Sequence, residues 1–356
     1  MMSAAIGIIG GSGVSGFDGL KDVEERRVET PFGEPSDVLV GGIFKGRKVW
    51  FLSRHGQNHT ILPTEVNHRA NFWALRSLGV RWVICATAVG SLKEAYSPRS
   101  VVLPDQYFDR TSQRANNTFF GEGIVAHIGF AEPISSGLRS ILAKAGRAEG
   151  ADLHDGGTYV CMDGPAFSTK SESFYYRNLG FDIIGMTNLP EAKLAREAEI
   201  ALATLGMVTD YDCWREGEET VEASSVVEHL AANAKMSVRI IKRAICEIPI
   251  EPGWPEHKSL DAAIFTPKSS WPVETACKLA PILDGRRSLE MIREGRGLFG
   301  NAASRGCLPP PSLREIGMPF LESSFLALKY AIGMLSPLRL KSDSGCVDHS
   351  FSLTDC

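Results

Sequence analysis

The run Ile8-Ile9-Gly10-Gly11-Ser12-Gly13-Val14-Ser15-Gly16 decides how this chain is read. An apolar strand, Ile6–Ile9, feeds a glycine-rich turn with the spacing G-x-G-x-x-G. Two ligands suit such a turn. A dinucleotide requires a helix packed behind the turn, then a second strand and an acidic residue about 20 positions on. The next segment, 17–30, carries Lys21-Asp22-Val23-Glu24-Glu25-Arg26-Arg27-Val28-Glu29 and has too few apolar positions for a crossover helix. An anion requires only the turn: glycines let backbone N–H groups approach it, and the Ser12 hydroxyl adds a donor. A tight turn with no ligand is the bland alternative.

Outward from that turn, short apolar runs alternate with helical patterns, which predicts an α/β fold. Strands are expected at Ile6–Ile9, Val49–Leu52, Trp82–Ala86, Val101–Leu103, Thr158–Met162, Ile183–Met186 and Leu202–Val208. Helices are expected at Arg69–Leu78, Ser136–Gly146, Lys170–Leu179, Pro190–Leu205 and Ser224–Glu247. In the fourth, proline stands near the start, Glu191 falls in the first turn, and Leu194, Ala198 and Leu202 repeat every four residues. Several strands end in Gly, Ser, Thr or Asp, the residues that form ligand loops at strand ends. Arg54-His55 follows one strand, and arginine offers a fixed fork of donors to phosphate oxygens, to which histidine adds another. Thr87-Ala88-Val89-Gly90-Ser91 and Thr187 close two more. Alone, an Arg-His pair after a strand is a surface pair. Together these groups would converge on one tetrahedral anion.

Composition narrows the partners. With 356 residues, 44% hydrophobic and 22% charged, the chain has ample material for a core, and its net charge of -4 leaves no footprint for nucleic acid. No apolar run is long enough to span a bilayer, and the start lacks a charged leader region. The eight cysteines show no zinc spacing, and reduced thiols in a cytoplasmic protein are the simplest reading. After Gly285 the character changes: 286–319 is rich in Arg, Gly and Pro, an apolar stretch Phe320–Leu335 suggests a docking helix, and Lys341–Cys356 is polar. The expected organisation is a domain at 1–285 with an extension at 286–356.

At this point the blocks themselves are informative. They are GGSG at 10–13, TPFGEPSD at 30–37, RHGQNHTILPTEVNHRAN at 54–71, TAVGSL at 87–92 and DQYFDRT at 105–111. DGPAFST at 163–169, IIGMTNLPEAKLAREAE at 183–199 and TDYDCW at 209–214 follow in order. The chain resembles the methylthioadenosine phosphorylase branch of the trimeric purine nucleoside phosphorylase family over roughly residues 4–285. That resemblance implies a phosphorylase/hydrolase-like α/β fold with a central mixed β-sheet flanked by helices. It also implies inorganic phosphate as co-substrate, no organic cofactor, no metal, and a cytoplasmic homotrimer or dimer of trimers acting on a small nucleoside in purine and methionine salvage. Family phosphate contacts map onto Ser12, Arg54, His55, Thr87, Ala88 and Thr187. The purine and ribose region maps onto Phe167, Ile184, Met186, Asp210 and Asp212, and His127 matches a histidine that closes the 5′ end of a neighbouring subunit's site.

The expected chemistry is phosphorolysis of an N-glycosidic bond, which leaves positive charge on ribose and negative charge on the departing base. Phosphate beneath C1′ stabilises the first, and a donor at purine N7 the second. Asp210 and Asp212, two apart at a strand end, can serve one ligand, and burial beside another carboxylate favours the protonated acid that would donate to N7 and accept from the 6-amino group, the part expected of Asp210. An Asp-x-Asp after a strand is equally an ordinary turn or helix cap. Ser168 and Asp210 have the adenine-branch identities, where 6-oxopurine relatives carry Glu and Asn. The substrate implied is 5′-methylthioadenosine. Ala223, where the family often has a larger apolar residue, leaves room for other 5′ groups, and Gly185 replaces an Asn seen in some relatives. His59 and His68 read as structural hydrogen-bonders, Glu172 as a pocket residue or a helix opener, and Trp73, Trp82 and Trp214 as core. The rivals are a broader purine or methylthioinosine phosphorylase, a nucleosidase, a dehydrogenase, and a non-catalytic purine-binding module.

Overall fold

The computed structural model describes residues 4–10, 17–112, 117–215 and 223–283, without the side chains of 223–228 and 230. Ser12 and its turn, the Ala223 side chain, and the extension at 286–356 with its expected helix lie outside the described residues. In chain order the elements are β1 (Ala5–Gly10), β2 (Lys21–Arg26), β3 (Leu39–Phe44), β4 (Arg47–Ser53), α1 (His68–Ser77), β5 (Val80–Ser91), β6 (Val101–Leu103), β7 (Gln106–Arg110) and α2 (Ser136–Ala148). They continue with β8 (Leu153–Asp155), β9 (Thr158–Met162), α3 (Lys170–Asn178), β10 (Ile183–Gly185), α4 (Asn188–Glu197), β11 (Ala201–Asp210), α5 (Ala223–Ile245) and α6 (Val273–Lys278).

All the strands join one sheet, in the order β2-β3-β4-β1-β5-β10-β9-β7, with β11 pairing β5 and leading through β6 to β8. β1, β4, β5 and β11 run parallel, whereas β3 opposes β4 and β10 opposes β5. The sheet is mixed, as expected. Parallel strands covered on both sides read as unbroken apolar runs, and β11 is buried from Ala201 through Thr209. Ile6, Ile9, Leu52, Trp82 and Ile84 fill the core, against which α1 packs with α4, and α2 with α5. The polar segment after the glycine turn makes no crossover helix. It forms β2, an edge strand exposed at every position but Glu24.

One element departs from expectation. The helix predicted over Pro190–Leu205 starts earlier and stops at Glu197, with Ala198 as its C-cap. Glu199 takes a left-handed φ of 55°, and Ile200 N–H turns back to Ala195 O, which ends the helix and frees 201–210 to extend. Ala198 and Leu202 match the helical spacing by coincidence, because burial between β5 and β6 decides for the strand. The short strands β3, β7 and β8 and the helix α6 had no clear periodicity in the sequence.

The sheet opens at one place. β1 leaves β5 after the pair Ile9↔Cys85, and β10 takes the same edge only at Gly90↔Ile184 and Ser91↔Ile183. β11 occupies the opposite edge throughout, out to Asp210↔Gly90. Among the described residues, 86–89 therefore have no strand partner on the first edge. A fork at the carboxyl ends of parallel strands is where α/β sheets bind ligands.

Candidate active site

Arg54 follows the end of β4 beside the end of β1, its N–H bonded to Gly10 O at 2.9 Å. Its side chain crosses the mouth of the fork, where Nη1 donates to Ala86 O at 3.2 Å. The guanidinium is only 2% exposed. A charge so buried needs a partner, and α4 supplies Glu191: Nε donates to Oε1 at 2.5 Å and Nη2 to Oε2 at 3.1 Å. Asn188 Nδ2, one turn earlier, donates to Oε2 at 2.6 Å. Burial alone would raise the Glu191 pKa, but the Arg54 charge and hydrogen bonds outweigh it and hold the carboxyl below its ordinary range.

His55 faces the same region, with Nδ1 2.9 Å from Ile61 O. A carbonyl only accepts, so Nδ1 carries the proton. Burial pushes the His55 pKa down, helped by Arg54 and opposed by that carbonyl. The neutral ring then presents Nε2 as an acceptor, not the extra donor expected from sequence. Thr87 and Ala88 lie on the open edge of β5, with Thr87 partly buried and Ala88 exposed. Thr187 is the N-cap of α4, yet its hydroxyl makes no capping bond.

The other end of the fork gathers the base-binding candidates. A Cβ added to Gly90 would lie 3.0 Å from Asp210 Oδ1, 3.1 Å from Ile184 Cγ2 and 3.5 Å from Asp212 Cβ, so these side chains close on a bare backbone. The two carboxylates differ. Asp210 is engaged in the turn: Oδ1 accepts from Asp212 N at 2.8 Å, and Oδ2 from Thr209 Oγ1 at 2.7 Å. Asp212, at a left-handed φ of 54°, has one buried oxygen, Oδ2, with no hydrogen-bond partner. Burial raises its pKa above the ordinary 3.8; the Ser173 hydroxyl opposes this and the Asp210 charge adds to it. Asp210 was expected to face the base, yet both of its oxygens are held within the turn, and it is Asp212 that carries the oxygen without a partner.

Ser168 joins this cluster through its carbonyl, which accepts from the Cys213 thiol at 3.2 Å. Phe167 beside it is 53% exposed, and Met186 packs over Gly164. The Tyr159 hydroxyl occupies the space into which a side chain at Gly185 would project, and it is buried without a partner. His127 stands apart on an exposed segment, tied to Ala263 O by its N–H, with its ring edge-on to Phe265. Glu172 closes a capping box with Thr169 and opens α3, so it is a helix residue. His59 is exposed and stacked on His55, and His68 is buried with Nδ1 unpartnered; neither ring supplies the structural hydrogen bond expected of it. Trp82 and Trp214 are core, and the Trp214 indole N–H bonds Ser91 O at 2.8 Å. Trp73 is half-buried, its indole N–H on Lys278 O. Among the described residues no cluster of three or more His, Cys, Asp or Glu is placed to hold a metal ion, and no helix is long and apolar enough to cross a membrane.

Sequence reasoning missed Glu191 and Asn188 as parts of the site, because an acidic residue in a first helical turn is ordinary helix chemistry. The one available signal was indirect: an arginine assigned to a buried subsite demands a counterion.

The chain is similar to known proteins over most of its length. S-methyl-5′-thioadenosine phosphorylase from Geobacter sulfurreducens is 48% identical over 282 residues, covering 79% of this chain and 99% of the relative. The enzyme of that name from Koribacter versatilis is 50% identical over 282 residues, with 79% and 96% covered. A methylthioadenosine phosphorylase sourced from an antarctic soil metagenomic library matches with a TM-score of 0.75 at 46% identity, over 80% of this chain and all of that one. The methylthioadenosine phosphorylase of Schistosoma mansoni, solved with adenine, matches at 0.67 and 38%, over 73% of this chain and 96% of its own. The profile of the phosphorylase superfamily matches residues 5–245. With its forked mixed sheet and these relatives, the chain belongs to the phosphorylase superfamily.

Proposed function

We propose that this protein is an S-methyl-5′-thioadenosine phosphorylase, converting its substrate and inorganic phosphate to adenine and S-methyl-5-thio-α-D-ribose 1-phosphate. The observation that carries the reading is the fork itself: Arg54 reaches Ala86 O near one end of it, and Asp210, Ile184 and Asp212 close on Gly90 at the other. We read the first as the anion end, with His55, Thr87, Ala88 and Thr187, and the second as the acid end. Phosphate attacks C1′ as the bond from C1′ to purine N9 breaks, and the bonding electrons leave on the base. Asp212, whose carboxyl burial shifts toward the protonated form, donates to N7, and Asp210 holds it in place by bonding its N–H. Hydrogen phosphate brings one P–OH, which suits the acceptor nitrogen of His55. Ser12 adds a donor from the glycine turn. Phe167, Ile184 and Met186 cover the purine and ribose, and Ser168 and Ala223 tune the base and 5′ pockets.

Phosphate acts as co-substrate, without an organic cofactor or metal. The enzyme works as a cytoplasmic homotrimer or a dimer of trimers in purine and methionine salvage, and the exposed His127 of one subunit closes the 5′ end of the next. Adenine is favoured because carboxyl groups facing the O6 of a 6-oxopurine would oppose acceptor to acceptor in a dry site. Base release from methylthioadenosine, adenosine, inosine and methylthioinosine, each with and without phosphate, tests this. We expect phosphate-dependent release that is fastest from methylthioadenosine. Release independent of phosphate would indicate a nucleosidase, and faster inosine or methylthioinosine turnover would indicate the broader purine phosphorylase.

A further inference from the structure

We propose that Glu191 is a positioning residue for phosphate, holding the Arg54 fork at a set distance from Thr187. The proposal rests on the reading of Arg54 and Thr187 as parts of the phosphate subsite. Arg54 and Glu191 are 137 residues apart, and both side chains are all but sealed from solvent, at 2% and 1% exposure. Two hydrogen bonds fix the plane of the guanidinium, and the bond to Ala86 O fixes its reach across the open edge of β5. Three of its five N–H groups are thereby used, which leaves a defined pair for an anion.

The same carboxylate organises the other side of the subsite. Glu191 Oε2 accepts from Asn188 Nδ2 at 2.6 Å, and Asn188 directly follows Thr187 at the head of α4. One buried group thus bonds both to the guanidinium carried by β4 and to the first turn of the helix that carries Thr187. Because Glu191 also offsets the arginine charge, the subsite selects its anion through oriented donors more than through net charge, which suits a tetrahedral oxyanion over a simple monovalent ion. His68 Nδ1, 4.0 Å from Glu191 Oε1, adds no competing charge, because burial pushes its pKa down to about 4.

The test compares Glu191→Asp, which keeps the charge but retracts it by one methylene, Glu191→Gln, which keeps the shape but loses the charge, and Arg54→Lys. Initial rates against phosphate at saturating nucleoside, and against nucleoside at saturating phosphate, are read beside thermal melts with and without phosphate. We expect the phosphate kcat/KM of both Glu191 variants to fall by roughly ten- to a hundredfold, as a displacement of about 1 Å in a positioned group does. The nucleoside KM should stay within about threefold, and the phosphate-induced rise in melting temperature should shrink. A lower melting temperature with intact phosphate dependence, or loss of folded protein in both variants, overturns the proposal. If Arg54→Lys leaves phosphate dependence unchanged, the subsite reading itself fails; if Arg54→Lys weakens it and neither Glu191 variant does, only the positioning role fails.

Discussion

Asp212 has two properties that Asp210 lacks, a strained left-handed backbone and a buried oxygen with no partner, and burial raises its own pKa. Strain and an unpaired acceptor at one residue are the usual marks of a group reserved for a ligand. Asp212→Asn should therefore lower the kcat/KM for adenine nucleosides by roughly ten- to a hundredfold, the cost of about 1–3 kcal/mol for a mispaired buried group. It should also raise the relative rate on inosine, since an amide donates to O6 yet delivers no proton to N7. Parallel kcat/KM measurements decide this, and an unchanged ratio would remove Asp212 from base recognition. Arg54 calls for a different expectation. Arg54→Ala strands the Glu191 carboxylate in the core, and breaking a buried pair this way costs about 3–5 kcal/mol. A denaturant titration should show that loss whether or not phosphate is present, so the alanine variant reports chiefly on folding.

Elements carry the site by where they begin and end. α3 begins immediately after Phe167 and Ser168, and its start is held by the Thr169–Glu172 capping box, with Thr169 Oγ1 accepting from Glu172 N at 3.2 Å. Thr169→Ala should cost about 0.5–2 kcal/mol of stability. It should also raise the nucleoside KM with little effect on phosphate, since the loop it anchors touches Asp212 through Ser168 and Cys213 and not the Arg54 end. Chemical denaturation and two-substrate kinetics check both halves. β5 is longer than either partner on its open edge, so among the described residues its edge without a strand partner at 86–89 arises from unequal strand lengths.

At the scale of the whole molecule, stability should depend on pH through Glu197. It sits at the end of α4 and accepts from Thr118 Oγ1 at 2.8 Å and Phe119 N at 2.6 Å, tying that helix to the segment around 118. Burial drives its pKa from 4.5 up to about 7, against the pull of those two hydrogen bonds. A folded-state value above the unfolded one means that stability is fully present below about 4.5 and drains as pH rises through about 7. Glu197→Gln should flatten the dependence of unfolding free energy across that window, as measured by denaturant titrations at several pH values. A slope identical to the parent protein would show that Glu197 stays ionised in the fold.

Much of this architecture was legible locally. The apolar runs of β1, β4, β5, β9 and β10, the starts of α2 and α3, and the refusal of 17–30 to form a helix all follow from side-chain periodicity and turn chemistry within a few residues. The blocks at 54–71, 183–199 and 209–214 likewise marked the candidate site, because strand-end hydroxyls, an arginine and paired aspartates are chemically distinctive wherever they fold. What the sequence alone could not determine was non-local. The end of α4 was set by the burial of β11 between β5 and β6, which overrode a helical spacing that continued to Leu202. Which oxygens of Asp210 and Asp212 find hydrogen-bond partners was set by the turn beyond the bulge near Thr209. The pairing of Arg54 with Glu191 spans 137 residues. Periodicity reports how a segment meets its neighbours in sequence, whereas counterions, strand partners and unspent hydrogen-bonding groups depend on what the chain brings beside them, and only the tertiary structure decides that.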